Sequence, residues 1–127
     1  MKYIDPYSKE IEIDSLERLA EVLNTDFSLW EQGSGDSLFY QQDPIEGLLM
    51  IKFKNGYFFL DLINYVSPSW NNPQHFNLTH NIGGNEMTLE SSNILNESQA
   101  MEILSEYYSS KAIPTSDSWT EYNFSGK

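Results

Sequence analysis

Leu16, Leu19, Ala20 and Leu23 fall at i, i+3, i+4 and i+7 behind Asp14, and Glu17 lies three residues past that aspartate. This spacing lays one apolar stripe along a helix, and the Asp14/Glu17 pair has the form of a capping box. A helix is expected over 15–24, with Glu17 and Glu21 on an acidic outer face. A second stripe comprises Ala100, Ile103, Leu104, Tyr107 and Tyr108. Here Asn96 is placed to cap and Gln99 stands at the third helical position, while Lys111 suits the negative end of the helix dipole and Pro114 stops continuation.

Between these stripes the period shortens to two. Phe27 and Leu29 alternate with polar neighbours and read as a strand over 27–32, ended by turn residues 33–36 and paired as a hairpin with a strand over 37–41. Asn55-Gly56 separates two apolar runs over 48–64, the pattern of a two-residue type I′ turn. That register sets Phe53 opposite Phe58, Ile51 opposite Leu60 and Leu49 opposite Leu62, one wholly apolar face. The reverse face carries Lys52, Lys54, Phe59 and Asp61. Residues 65–80 are rich in Pro, Asn and aromatics and read as an exposed loop, with a strand resuming near 76–79. After Gly83-Gly84, Met87 and Leu89 alternate over 85–90. Residues 116–122, which include Trp119, supply a last edge strand, and frayed ends are expected over 1–8 and 123–127. Two helices flanking a run of tightly turned strands predict an α+β fold: an antiparallel β-sheet with helices packed on one face, in a single domain over 1–127.

Length and composition agree with this. The chain has 127 residues, of which 39% are hydrophobic, enough for one ordinary core. There is no Cys, which removes disulfides, thiolate metal sites and thiol nucleophiles. The absence of a basic start followed by an apolar core argues against a secretory signal, and no apolar run approaches a membrane span. A cytoplasmic protein without membrane contact is expected. Charge changes the picture most: 19 Asp and Glu oppose 7 Lys and Arg, a net of -12. Such a surface repels nucleic-acid phosphates and attracts basic proteins or cations.

Candidate chemistry is sparse. His75 and His80, five apart, share a face of neither a helix nor a strand, and no acidic neighbour completes a metal set. No phosphate-binding loop, HExxH, GxSxG or EF-hand pattern occurs, so neither an enzyme nor a cofactor is read. Eleven acidic residues between Asp5 and Glu46 face only Lys9 and Arg18. Of these, Glu31, Asp36, Asp43 and Glu46 flank predicted turns, where carboxylates reach outward as a solvated hairpin end or as a docking surface for a basic protein. Trp70 stands among Ser, Asn and Pro where no periodicity demands an apolar side chain. It would anchor a partner or pin its own loop, and Asn72 and His75 lie beside it. Trp119 is read as packing in the core or beneath the last helix, and Trp30, on the opposite parity to Leu29, as facing a second layer or solvent.

The run Leu89-Glu90-Ser91-Ser92-Asn93-Ile94-Leu95-Asn96-Glu97-Ser98-Gln99-Ala100, the helix through Tyr107-Tyr108, then Ile113-Pro114-Thr115 and Trp119, resembles the Imm1 family of bacterial immunity proteins. The Asn-Gly hairpin is compatible, and the likeness covers about 48–121. Ser109-Ser110-Lys111-Ala112 stands where the family often has a Gly before the Pro. The resemblance implies a protein that binds and neutralises a cognate toxin of a polymorphic toxin system, deployed in interbacterial competition. Such toxins often act on nucleic acid as nucleases or deaminases. A basic groove on such a toxin would suit this chain's charge. Carboxylates at phosphate positions and an aromatic anchor would block it sterically and electrostatically, with Glu31, Asp36, Asp43, Glu46, Trp70, Asn72 and His75 as the toxin-binding set. A monomer or small homo-oligomer is expected before binding. Two other classes remain: a small ligand-binding domain or enzyme with a pocket between sheet and helices, holding His75 or His80, and an acidic mimic of DNA.

Overall fold

The structure, a computed structural model, describes residues 1–25, 28, 30, 35–53, 56–62, 66–68, 78–82, 85–89, 94–113, 119–121 and 124–126. At 66–68, 78–82, 85–89, 120–121 and 124–126 the description covers the backbone alone. Strands β1 (Lys2–Ile4), β2 (Glu10–Glu12), β3 (Ser37–Tyr40), β4 (Leu48–Lys52), β5 (Phe58–Leu62), β6 (Val66–Pro68) and β10 (Trp119–Glu121) form one antiparallel sheet, ordered β10-β6-β5-β4-β3-β1-β2. Strand β9 (Ile94–Leu95) also pairs with β5 in that sheet. Strands β7 (Leu78–Ile82), β8 (Asn85–Leu89) and β11 (Phe124–Gly126) make a second antiparallel sheet, ordered β11-β8-β7. With helices α1 (Leu16–Leu23) and α2 (Glu97–Ser110), the fold is α+β, as the sequence pattern predicts.

Both helices lie on one face of the larger sheet. Leu19, Val22 and Leu23 of α1 and Ala100, Ile103, Leu104 and Tyr107 of α2 share a core with Tyr3, Phe39, Leu48, Met50, Phe58 and Leu60. The α2 stripe is therefore the predicted one. Its capping box is formed as well: Gln99 N donates to Asn96 Oδ1 at 2.8 Å and Asn96 N to Gln99 Oε1 at 2.9 Å. Helix α1 begins one residue later than Asp14 would start it. Ser15 is the cap, accepting from Arg18 N at 3.0 Å, so the Asp14/Glu17 box is not used. The stripe also turns: Leu16 is 45% exposed while Val22 is buried, because 19, 22 and 23 keep the helical spacing and leave Leu16 in the open first turn.

Several strand expectations need correction. The β4–β5 ladder pairs Ile51 with Phe59 and Met50 with Leu60, one residue off the predicted register. Phe53 N donates to Tyr57 O at 2.8 Å and Gly56 N to Phe53 O at 3.0 Å. Three residues thus lie between the closing pair, and Gly56 carries the positive φ of 85° that such a loop requires. A one-residue slip exchanges faces. Leu48, Met50, Lys52, Phe58, Leu60 and Leu62 turn toward the helices, while Ile51, Phe53, Phe59 and Ile94 form a second buried cluster on the far side. Both faces are apolar, so hydrophobicity alone could not choose between the registers.

The 27–32 strand is also overturned, since Ser28 and Trp30 have helical backbone. Alternation over so few residues fits one turn of helix equally well, and Trp30, 1% exposed in the core between the sheet and the helices, faces away from solvent. Strand β3 instead pairs with β1 and β4. The ends expected to fray carry strands: β1 joins β3 and β2, and β11 joins β8. Inside the expected 65–80 loop, β6 pairs with β10, which places the predicted Trp119 strand at a sheet edge.

Candidate partner-binding surface

The end of β3 leads through Gln41 and Gln42 into a short 3-10 turn, Pro44–Glu46. Local chemistry dictates the turn. Asp43 Oδ1 accepts from Ile45 N at 3.0 Å, Pro44 occupies the first turn position, and Glu46 N and Gly47 N donate to Asp43 O and Pro44 O at 3.0 Å each. Gly47 is needed where the turn enters β4, because a Cβ there would lie 2.5 Å from Phe39 O and 3.0 Å from Pro44 O. The turn is thereby pressed against β3 and its apex is pushed out. Ile45 at that apex is 75% exposed, with the exposed carboxylates of Asp43 and Glu46 on either side.

Beside this knob lies a cleft of about 650 Å³, lined in part by Gln41, Asp43, Glu46, Tyr107, Lys111 and Ile113. Its inner wall is the C-terminal end of α2. Lys111 closes that helix with φ 62°, its N–H on Tyr107 O at 2.9 Å, and Gln41 Nε2 reaches the same carbonyl at 3.2 Å. Gln41 therefore ties the strand that carries the knob to the helix that backs the cleft. Burial pushes the Tyr107 phenol above its ordinary value, and the Glu46 carboxylate adds to the shift. Carboxylates, amides and an aromatic wall around an apolar knob are a set suited to a cationic, partly apolar partner surface.

Of the predicted set, the structure brings together Asp43 and Glu46. Asp36 is half-buried and precedes β3, whereas the other two follow it, so about 13 Å of strand separates the ends. Strand β3 lies between Asp36 and the turn that carries Asp43 and Glu46. Glu31, Trp70, Asn72 and His75 lie outside the described residues, as do any contacts they make. Ile45, Gln41 and Tyr107 were not in the set. The sequence signal for Ile45 was an apolar residue within Asp-Pro-Ile-Glu, where turn chemistry leaves no inward direction. Gln41 carries no such signal, since its role depends on the packing of α2 against β3.

A second acidic region follows the helices. A shallower groove of about 450 Å³ runs between α1 and α2, with Ala20, Leu23 and Met101 along it and Glu97 and Glu102 at its side. Among the described residues no group of three potential metal ligands occurs. Among them, too, no helix is long and apolar enough to cross a membrane. Neither a protein-family model nor a curated protein matches the chain.

Proposed function

We propose that this chain is a cytoplasmic immunity protein that binds and neutralises a cognate bacterial toxin, one acting on nucleic acid, by steric and electrostatic blockade. The observation that carries the reading is the exposed Ile45 held between Asp43 and Glu46 on a chain of net charge -12. An apolar anchor ringed by carboxylates matches the needs of a protein that occupies a basic, phosphate-binding groove: the charge steers encounter and the anchor holds the complex. The resemblance to the Imm1 family read from the sequence over 48–121 points the same way. No catalytic role is assigned: the described residues of the cleft beside the knob supply carboxylates, amides, a lysine and one buried phenol.

The test is to identify the adjacent gene and, if it encodes a secreted protein with a C-terminal toxin domain, to co-express that domain with this chain. Protection of growth and a stable complex are expected, with protection lost in an Ile45→Asp/Glu46→Lys variant that still folds. No protection, or turnover of a small substrate by the isolated chain, would overturn it.

A further inference from the structure

Strand β2 forms one edge of the larger sheet, and its hydrogen-bond phase is fixed by its partner. Ile13 N donates to Met1 O at 2.8 Å and Asp5 N to Lys9 O at 2.9 Å. In an antiparallel ladder, bonded and non-bonded pairs alternate, so the odd pairs, Tyr3 with Ile11 among them, face inward. Glu10 and Glu12 therefore aim their backbone N–H and C=O groups away from β1, off the edge of the sheet. Their side chains share the face opposite the helices, and each is held there. Tyr40 donates its hydroxyl to Glu10 Oε1, Lys2 Nζ lies 3.9 Å from Glu10 Oε2, and the Met1 amino group lies 3.4 Å from Glu12 Oε2.

From this geometry we propose that the β2 edge accepts an extended segment of a basic partner as an added strand, with Lys or Arg at alternate positions opposite Glu10 and Glu12. A second copy of this chain is disfavoured: antiparallel pairing about Ile11 would set Glu10 against Glu12 twice, and like charges directly opposite destabilise a ladder. The same carboxylates that keep copies apart select a cationic strand, which gains main-chain hydrogen bonds and cross-strand ion pairs together. The site is separate from the Ile45 knob and draws on the proposed function only for the charge of the partner.

The test follows amide chemical shifts and hydrogen exchange of the full chain with a synthetic alternating Lys–Val heptapeptide as probe. The Glu10 and Glu12 amides should shift and exchange about tenfold more slowly, and an alternating Glu–Val peptide should leave them unchanged. Glu12→Pro removes an outward N–H and the exposed ion pair with the Met1 amino group but no backbone bond to β1, at a position where an edge strand tolerates Pro. It should keep its Tm and lose the response. Should that variant fail to fold, Glu10→Lys/Glu12→Lys should exchange the preference for the Glu–Val peptide. Shifts centred on other residues, or a response retained in both variants, would overturn the proposal. So would protection of these amides that grows with protein concentration without peptide, since it would identify a second copy as the occupant. A chain that captures the peptide yet fails to protect against the toxin would remove the proposed function and leave the edge site standing.

Discussion

Lys52 Nζ lies 2.8 Å from Leu23 O and 2.7 Å from Thr25 O, so a lysine of the central sheet closes the C-terminal end of α1. The helix has no basic residue in its own last turn. Its terminal carbonyls and the negative end of its dipole are satisfied from a strand 27 or more residues away in sequence. The ammonium also lies 5.7 Å from the Phe58 ring centre. Replacing Lys52 with Met keeps the aliphatic stem and deletes both bonds. The loss expected in urea unfolding is about 2 kcal/mol, in the range for hydrogen bonds to a charged group, and amide exchange should accelerate first at the end of α1.

Gly47→Ala would force a methyl group onto Phe39 O and Pro44 O, both backbone atoms that cannot swing aside. Denaturant midpoints should fall by an amount equivalent to about 2 kcal/mol, the cost of overpacking. Because relief of the clash lifts the turn from β3, the Ile45 knob should move as well, and under the proposed function toxin binding should weaken with it.

Lys111 holds a left-handed conformation, φ 62° and ψ 14°, at the C-cap of α2. A side chain there carries strain that glycine avoids. Lys111→Gly should therefore stabilise the fold by roughly 0.5 to 1 kcal/mol, seen as a higher Tm. A lower Tm would mean that the Lys111 side chain makes a stronger contact in the cleft than its backbone strain costs.

Three tyrosines link stability to alkaline pH. Burial raises the Tyr3 phenol well above the ordinary value of 10.0. Burial likewise raises Tyr107, and the bond to the Glu10 carboxylate raises Tyr40. In each case the folded state holds its proton more tightly than the unfolded chain. Their contribution is complete below about pH 10 and is lost as pH climbs through the folded-state values. Urea midpoints should decline above pH 10, and Tyr3→Phe should flatten that decline. Absorbance of tyrosinate near 295 nm, followed through the titration, should show the Tyr3 component appearing only as the protein unfolds.

If the knob is the toxin contact, Ile45→Asp should weaken the complex by about thirtyfold or more, the scale of an interface anchor. Its exposure means that Tm should hardly move. Asp43→Asn keeps the cap on Ile45 N and removes only charge. That variant should slow association and reduce its dependence on salt while leaving dissociation nearly unchanged, as stopped-flow measurement would reveal.

The apolar stripe and the Asn96/Gln99 box of α2 were legible because both are local in the chain, whereas the left-handed cap at Lys111 was not. The fold class followed from the order of elements for the same reason. Register was not legible: Asn55-Gly56 permits a two-residue turn, and with Ile51 and Phe59 as apolar as Met50 and Leu60, a slip of one cost nothing visible in composition. The short strands β1 and β2 escaped because three residues carry almost no periodicity, and the pairing of β1 with β3 spans more than 30 positions of chain. At the candidate site, the carboxylates of Asp43 and Glu46 were apparent from turn chemistry. Gln41 and Tyr107 were not, since their meeting depends on how α2 crosses the sheet.

Burial on both sides of β4 and β5 makes those strands a partition between two hydrophobic clusters. Damage on one side has little means of relief from the other, because the hydrogen-bonded wall between them cannot bulge without opening its own ladder. Variation should therefore be admitted at the rim of the molecule and resisted along this wall. A chain so built can exchange one binding surface for another while its interior stays fixed.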